Sequence, residues 1–252
     1  SLFNELMQSI DENTAYVGLV KEMIPAGGYI VEINGIDCFM PGSLAGINKL
    51  HDFESIIGTN MYVVPMSFSI KRGTIVVSHR EYLKALIPTA INELNENIEG
   101  LKSGIVTGTT KFGVFVEFNK CLTGMIHIND LNPEYVKKHK NRDVKPGDPI
   151  EFYVKEIIND NKITLSQVQV EPLVDPWIDI QNRIQTPCEV QGSVKSIKNY
   201  GLFVDVEDGV TGLLHISEIE NIIDVNSIKP GDAITVQVTR IEPATRKVFL
   251  KI

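Results

Sequence analysis

The chain has 252 residues, 24 basic and 32 acidic side chains, and a formal net charge of −8. Hydrophobic content of 43% and charged content of 22% are those of a soluble globular protein, which excludes a fibrous or largely disordered chain. No apolar run approaches the ~20 residues of a membrane span, no basic-then-apolar segment opens the chain, and Cys38, Cys121 and Cys188 are scattered, so the expectation is a cytoplasmic protein without membrane partner, disulfide framework, metal or cofactor.

From the N-terminus, Leu2, Phe3, Leu6, Met7 and Ile10 recur at helical spacing and predict an amphipathic helix over residues 1–10, packed on its neighbour or facing a partner. Residues 11–86 hold short apolar runs broken by glycine: Val17-Gly18-Leu19-Val20, Gly27-Gly28-Tyr29-Ile30-Val31-Glu32, Phe39-Met40-Pro41-Gly42-Ser43 and Val76-Val77-Ser78. Leu83, Leu86, Ile87, Ala90, Ile91 and Leu94 predict a helix around 80–96, kinked or restarted at Pro88, with 87–97 as linker. Residues 98–168 run from Gly104 through Phe112-Gly113-Val114-Phe115-Val116-Glu117-Phe118 and Thr123-Gly124-Met125-Ile126-His127 to Lys145-Pro146-Gly147-Asp148 and Ile163–Ser166. In the linker at 169–185, Asp175-Pro176-Trp177 precedes Ile178, Ile180 and Ile184, predicting a short helix with Pro176 in its first turn. Residues 186–252 repeat the series: Gly192, Tyr200-Gly201-Leu202-Phe203-Val204-Asp205-Val206, Thr211-Gly212-Leu213-Leu214-His215, Lys229-Pro230-Gly231-Asp232 and Val248–Lys251.

From Gly104 to His127 and from Gly192 to His215 the two copies keep a constant offset of 88 residues, and 11–86 is a third, weaker copy. Period-two alternation, as in Val114, Val116 and Phe118 against Phe115 and Glu117, marks half-buried strands. Several such strands with glycine turns in each copy predict an all-β chain: three tandem five-stranded OB-fold barrels joined by short helical linkers.

Gly-x-Val, then Phe/Tyr-Gly-x-Phe-Val, then Gly-x-x-His-Ile, then Lys-Pro-Gly-Asp resembles the S1 RNA-binding domain, in three tandem copies. The Pro41-Gly42-Ser43 segment, the Ser78-His79-Arg80 helix start and the Asp175-Pro176-Trp177 linker are similar to the second, third and fourth repeats of the bacterial ribosomal S1 proteins, which implies a shortened relative or fragment. The resemblance implies base-stacking at Phe112, Phe115 and His127 and at Tyr200, Phe203 and His215, with basic residues before the last strand at Lys162, Lys247 and the adjacent Arg246. Residues three apart on a regular strand face opposite sides, so Phe112 and Phe115 can share a face only if Gly113 bulges or twists. The alternative for Phe115 and Phe203 is a core position, and for the histidines the closing of a turn. In the first copy the equivalents are Gly27, Ile30 and Pro41, with Tyr29 and Phe39 expected in its core.

On whole-chain charge nucleic acid is a poor partner, since phosphate contacts call for Lys and Arg. Segment by segment the objection weakens. Residues 1–97 carry 6 basic and 11 acidic side chains, while 98–168 carry 10 and 9. Lys137, Lys138, Lys140, Arg142 and Lys145 form a basic cluster, expected in a long loop, where the first four are candidates for phosphate contact. No paired-carboxylate, phosphate-loop or nucleophile–base motif stands out, so the expected function is non-enzymatic. It is binding of single-stranded RNA with low sequence preference, linked to translation, the middle and third barrels forming one track and the first barrel contacting protein, such as the small ribosomal subunit. The alternative is a protein–protein scaffold or ribosome-docking decoy in which all three barrels are interaction modules.

Overall fold

The computed structural model describes residues 1–160, 162–219, 221 and 224–252. Helix α1 (Leu2–Gln8) is N-capped by Ser1. Its Leu6 is fully buried in the core of the first barrel, with Leu2 and Met7 packed beside it. Phe3 meets Phe68 edge-on at 6.3 Å. The N-terminal apolar stripe thus packs on its own barrel.

The first barrel is built from β1 (Tyr16–Met23), β2 (Tyr29–Ile33), β3 (Ile36–Met40), β4 (Asn60–Ser69) and β5 (Thr74–Ser78). The strands close in the order β1-β2-β3-β5-β4, all pairs antiparallel except β3–β5. Asn34 and Gly35 both take positive φ (46° and 88°), the two-residue turn that matches strand twist in a hairpin. Val20, Tyr29, Val31, Ile33, Cys38 and Met40 fill the interior, and the Tyr29 hydroxyl donates to the Phe53 carbonyl at 2.6 Å. Phe39 is buried as expected, at 9% exposure, but on the opposite strand face from Cys38 and Met40, with the Arg72 guanidinium 3.9 Å from its ring centroid.

Ser78 caps helix α2 (His79–Glu96), its buried hydroxyl accepting the Glu81 N–H at 3.0 Å. The helix is a single element with Pro88 inside it, and it begins within the range 11–86 that the sequence assigned to the barrel. Leu83, Ile91 and Leu94 supply its buried stripe.

The middle barrel repeats the topology with β6 (Lys102–Thr110), β7 (Gly113–Phe118), β8 (Leu122–His127), β9 (Pro149–Asn159) and β10 (Lys162–Ser166). Between β8 and β9 lies helix α3 (Pro133–Lys140), so the basic cluster expected in a loop is largely helical. Asn132 caps it, Pro133 occupies its first position, and Lys137, Lys138, His139 and Lys140 sit in the last turn, where positive charge suits the unpaired carbonyls. The helix buries no residue, which is why no apolar periodicity announced it. The first and middle barrels belong to one compact unit, residues 1–173. Within it the Asn48 amide donates to the Glu117 carboxylate at 2.8 Å and to the Thr123 hydroxyl at 2.9 Å.

Residues 174–252 form a second unit. Helix α4 (Ile180–Arg183) starts after the turn containing Pro176, not at it: the Trp177 N–H donates to the Asp175 carboxylate and the Ile178 N–H to the Asp175 carbonyl. Ile180 and Ile184 are in the core of the third barrel and Trp177 packs against it, so this part of the linker caps that barrel. The barrel comprises β11 (Cys188–Lys198), β12 (Gly201–Glu207), β13 (Val210–His215), β14 (Ala233–Glu242) and β15 (Lys247–Lys251), closed in the same order.

The repeated Lys-Pro-Gly-Asp is a clamp on the first strand of each barrel. The Lys145 and Lys229 N–H groups donate to the Asp148 and Asp232 carboxylates at 2.9 and 2.8 Å. The Gly147 and Gly231 N–H groups then reach the Val106 and Val194 carbonyls, each at 2.7 Å, where those strands shift register. In the first barrel Gly58 makes the same 2.7 Å bond to the Val20 carbonyl without the motif.

The three cysteines are unpaired. No described helix is long and apolar enough to cross a membrane.

Candidate nucleic-acid interface

Period-two pairing sorts each barrel into an inner and an outer face. In the middle barrel Val114, Val116, Phe118, Leu122 and Ile126 point inward and are buried. Phe115, Met125 and Thr164 pair across β7, β8 and β10 and form one outer row. In the third barrel the same row is Phe203, Leu213 and Phe249. Phe115 and Phe203 are half-buried outer residues, not core.

Phe112 and Tyr200 lie outside the strands. Each is the second residue of a two-residue turn, between Thr110 and Gly113 and between Lys198 and Gly201, so alternation along a strand does not govern where its ring points. Of the bulge or twist expected at the glycine, no bulge is present there; the register shift falls on the partner strand, between Val106 and Gly108 and between Val194 and Ser196. Gly113 and Gly201 are needed for another reason. A Cβ there would lie 2.1 Å from the Ile126 carbonyl oxygen and 2.4 Å from that of Leu214. Phe112 and Tyr200 remain 57% and 44% exposed, unusual for large rings. Tyr200 meets Phe203 edge-to-face at 6.2 Å, and Lys111 lies 5.0 Å from the Phe112 ring centroid.

His127 pairs with Gly113 and His215 with Gly201, which sets each imidazole beside the turn carrying the exposed ring. Each histidine caps a 3-10 turn, its Nδ1 accepting the N–H of Asn129 at 3.1 Å or Ser217 at 3.2 Å. In the neutral ring the proton then sits on Nε2. The Ile128 and Ile216 N–H groups bond back to the Phe112 and Tyr200 carbonyls at 2.8 and 2.9 Å, tying histidine and aromatic into one substructure.

The basic candidates separate. His139 of α3 bonds the Thr110 carbonyl through a ring nitrogen at 2.7 Å, which holds the basic helix against the turn that carries Phe112. Lys137, Lys138, Lys140 and Arg142 are exposed around it, with Lys138 5.9 Å from the Tyr135 ring. Lys162 and Lys247 are exposed at the starts of β10 and β15. Arg246 is already engaged: both its terminal nitrogens reach the Asp175 carboxylate, at 3.2 and 2.5 Å. Sequence matching missed Phe249 and Arg240. They pair across β14 and β15, with the guanidinium 4.2 Å from the ring centroid and ion-paired to Glu242 at 3.0 Å. Only the outward parity of Phe249, one residue after buried Val248, could have indicated it.

The first barrel's row is Ile30, Phe39 and Val76, so it has neither ring nor histidine where the other two carry theirs. Among the described residues no group of three or more His, Cys, Asp or Glu is placed to hold a metal ion.

The chain is 32% identical to the small ribosomal subunit protein bS1 of Pseudomonas aeruginosa, over 90% of this chain and 41% of that protein. It is 27% identical to the bS1 of Neisseria meningitidis and 30% to that of Chlamydia trachomatis, each over 97% of this chain. It thus spans less than half the length of these relatives. A family model described as the S1 RNA binding domain matches residues 101–167 and 188–252, just over half of the chain and both barrels with an intact platform. The chain belongs to the S1 RNA-binding domain family, with two matched copies and a third closed barrel preceding them.

Proposed function

We propose that this protein binds single-stranded RNA, with little sequence preference and without catalysis, in the cytoplasm and in connection with translation. The observation that carries the reading is the pair of outward aromatic platforms, Phe112 with Phe115 and Tyr200 with Phe203, each tied by a backbone hydrogen bond to the residue that follows a capping histidine. Every base has a π-face, so stacking on such rings is sequence-tolerant and worth ~1–3 kcal/mol per base. Lys111 and helix α3 lie beside Phe112, and Lys162 and Lys247 are exposed at the starts of the last strands. Lysine supplies charge to a phosphate without the flat bidentate fork of arginine, which again favours weak base selectivity.

The likeness to bS1 proteins supports an association with the small ribosomal subunit. The first barrel is the natural protein-contacting part, since residues 1–97 carry 11 acidic against 6 basic side chains and the barrel has no stacking platform. A scaffold role for all three barrels is the second reading, favoured by the same acidic segment.

The test is fluorescence anisotropy with a labelled unstructured RNA. Replacing Phe112 and Phe115 together with alanine should weaken affinity by more than about tenfold, the equivalent of one or two stacks removed. Unchanged affinity in a folded double variant would refute the platform and leave the scaffold reading.

A further inference from the structure

The two motifs that distinguish the first copy, Pro41-Gly42-Ser43 and Ser78-His79-Arg80, have no part in the platforms. In the fold they meet. Gly42, Ser43 and Arg80, together with Gly27 and Gly28, line a pocket of about 770 Å³ on the first barrel. Met23, Pro25, Tyr29 and Phe53 give it apolar walls, and Lys49 is its second cation. No acidic side chain is among the described residues that line it, although residues 1–97 carry 11 acidic against 6 basic side chains.

Its location is that of the platforms in the sister barrels. A Cβ on Gly28 would lie 2.7 Å from the Met40 carbonyl oxygen, the contact that one on Gly113 would make with Ile126 at 2.1 Å and one on Gly201 with Leu214 at 2.4 Å. Gly27 therefore stands where the others carry Phe112 and Tyr200, and a side chain added there would meet nothing within 4 Å. What is a protruding ring in two barrels is an opening in the third. The Arg80 Nε is buried and has no hydrogen-bond partner. A buried unpaired donor of a permanently charged group calls for an anionic acceptor. Two cations, one of them with a buried unpaired donor, and apolar walls fit an anion carried on a flat apolar body.

We infer that the first barrel holds one nucleotide of an RNA strand in this pocket, phosphate against Arg80 and Lys49 and base against the wall of Met23, Pro25 and Phe53. The inference rests on the reading of the barrels as RNA binders, and it changes the mode of capture from stacking on a protruding ring to insertion into a recess.

The test uses the full chain with Phe112, Phe115, Tyr200 and Phe203 all replaced by alanine, so that both platforms are silent. Adenosine 5′-monophosphate, adenosine and inorganic phosphate are titrated separately, followed by amide NMR and calorimetry. The monophosphate should shift the amides of Gly27, Gly28, Gly42 and Ser43 and bind more tightly than either half alone. Arg80→Met and Lys49→Met should each weaken it by about 10- to 100-fold, as removal of a charge-assisted hydrogen bond does. Lys49 is exposed, so its replacement reports binding even if Arg80→Met disturbs the start of α2. The inference is overturned if the monophosphate moves no first-barrel amide, if Lys49→Met leaves its affinity unchanged, or if an acidic peptide occupies the pocket more tightly. Failure of the platform reading shows elsewhere, as undiminished RNA affinity in the Phe112/Phe115 variant.

Discussion

At the residue scale, glycine does more here than turn the chain. Gly113 and Gly201 let the strand bearing the platform approach the carbonyl before each histidine to a distance that no Cβ survives. Because the obstacle is backbone and not a side chain that could swing away, Gly113→Ala should destabilise the middle barrel by ~1–3 kcal/mol, as overpacking of a tight site does. Urea denaturation should show the midpoint falling; an unchanged midpoint would mean that the hairpin can open at no cost. The buried thiols act at the same scale. Burial pushes the Cys38 thiol up to about 11, and Cys121 is raised by the same cause. A thiol raised in the folded state contributes stability below its unfolded pKa of ~8.5 and loses it as pH climbs toward the folded value. The urea midpoint should therefore fall between about pH 8 and about pH 11, and part of that fall should vanish in Cys38→Ala.

At the element scale, helix α3 sets basic side chains beside the exposed Phe112 turn. It buries none of its side chains, yet the His139 bond to the Thr110 carbonyl fixes it beside the turn that carries Phe112. If Lys137, Lys138 and Lys140 neutralise phosphates, replacing all three with alanine should flatten the plot of log affinity against log salt, by ~0.7 for each phosphate of a single strand that is no longer neutralised. An unaltered slope would show that they serve only the carbonyl end of the helix. The Lys-Pro-Gly-Asp turns belong to this scale too. Their aspartates accept a backbone N–H just as helix caps do, so Asp148→Ala should cost ~1 kcal/mol in the unfolding free energy and leave RNA affinity nearly untouched. A large drop in binding instead would show that the clamp also sets the face of β6.

At the scale of the whole molecule, the proposed function makes the two platforms linked modules on one chain. Joined sites bind with an effective concentration that can multiply affinity by ~10²–10⁴ over either alone. On an RNA long enough for both, alanine at Tyr200 and Phe203 in the intact chain should remove most of that gain. On an RNA of only a few nucleotides the same variant should keep the affinity of the middle barrel. Equal effects on long and short RNA would show that the platforms bind independently. Of the net charge of −8, residues 1–97 carry 11 acidic against 6 basic side chains, while residues 98–168, which hold the middle platform, carry 9 against 10.

The sequence by itself determined the repeat, the barrel class, the aromatic and histidine positions of two copies and their loss in the first, because period-two alternation and glycine spacing are local and survive translation along the chain. It misplaced what depends on neighbours. Helix α3 hid behind a composition without an apolar face, Phe39 is buried on the outer strand face and not in the barrel interior, and the close approach of β7 to β8 is a demand for glycine at Gly113 that strand alternation did not show. Phe249 and Arg240 became a pair only when β14 and β15 were placed side by side. Tertiary structure alone brought Gly42, Ser43 and Arg80 around one pocket, since residues almost forty positions apart share a wall only after the barrel has closed.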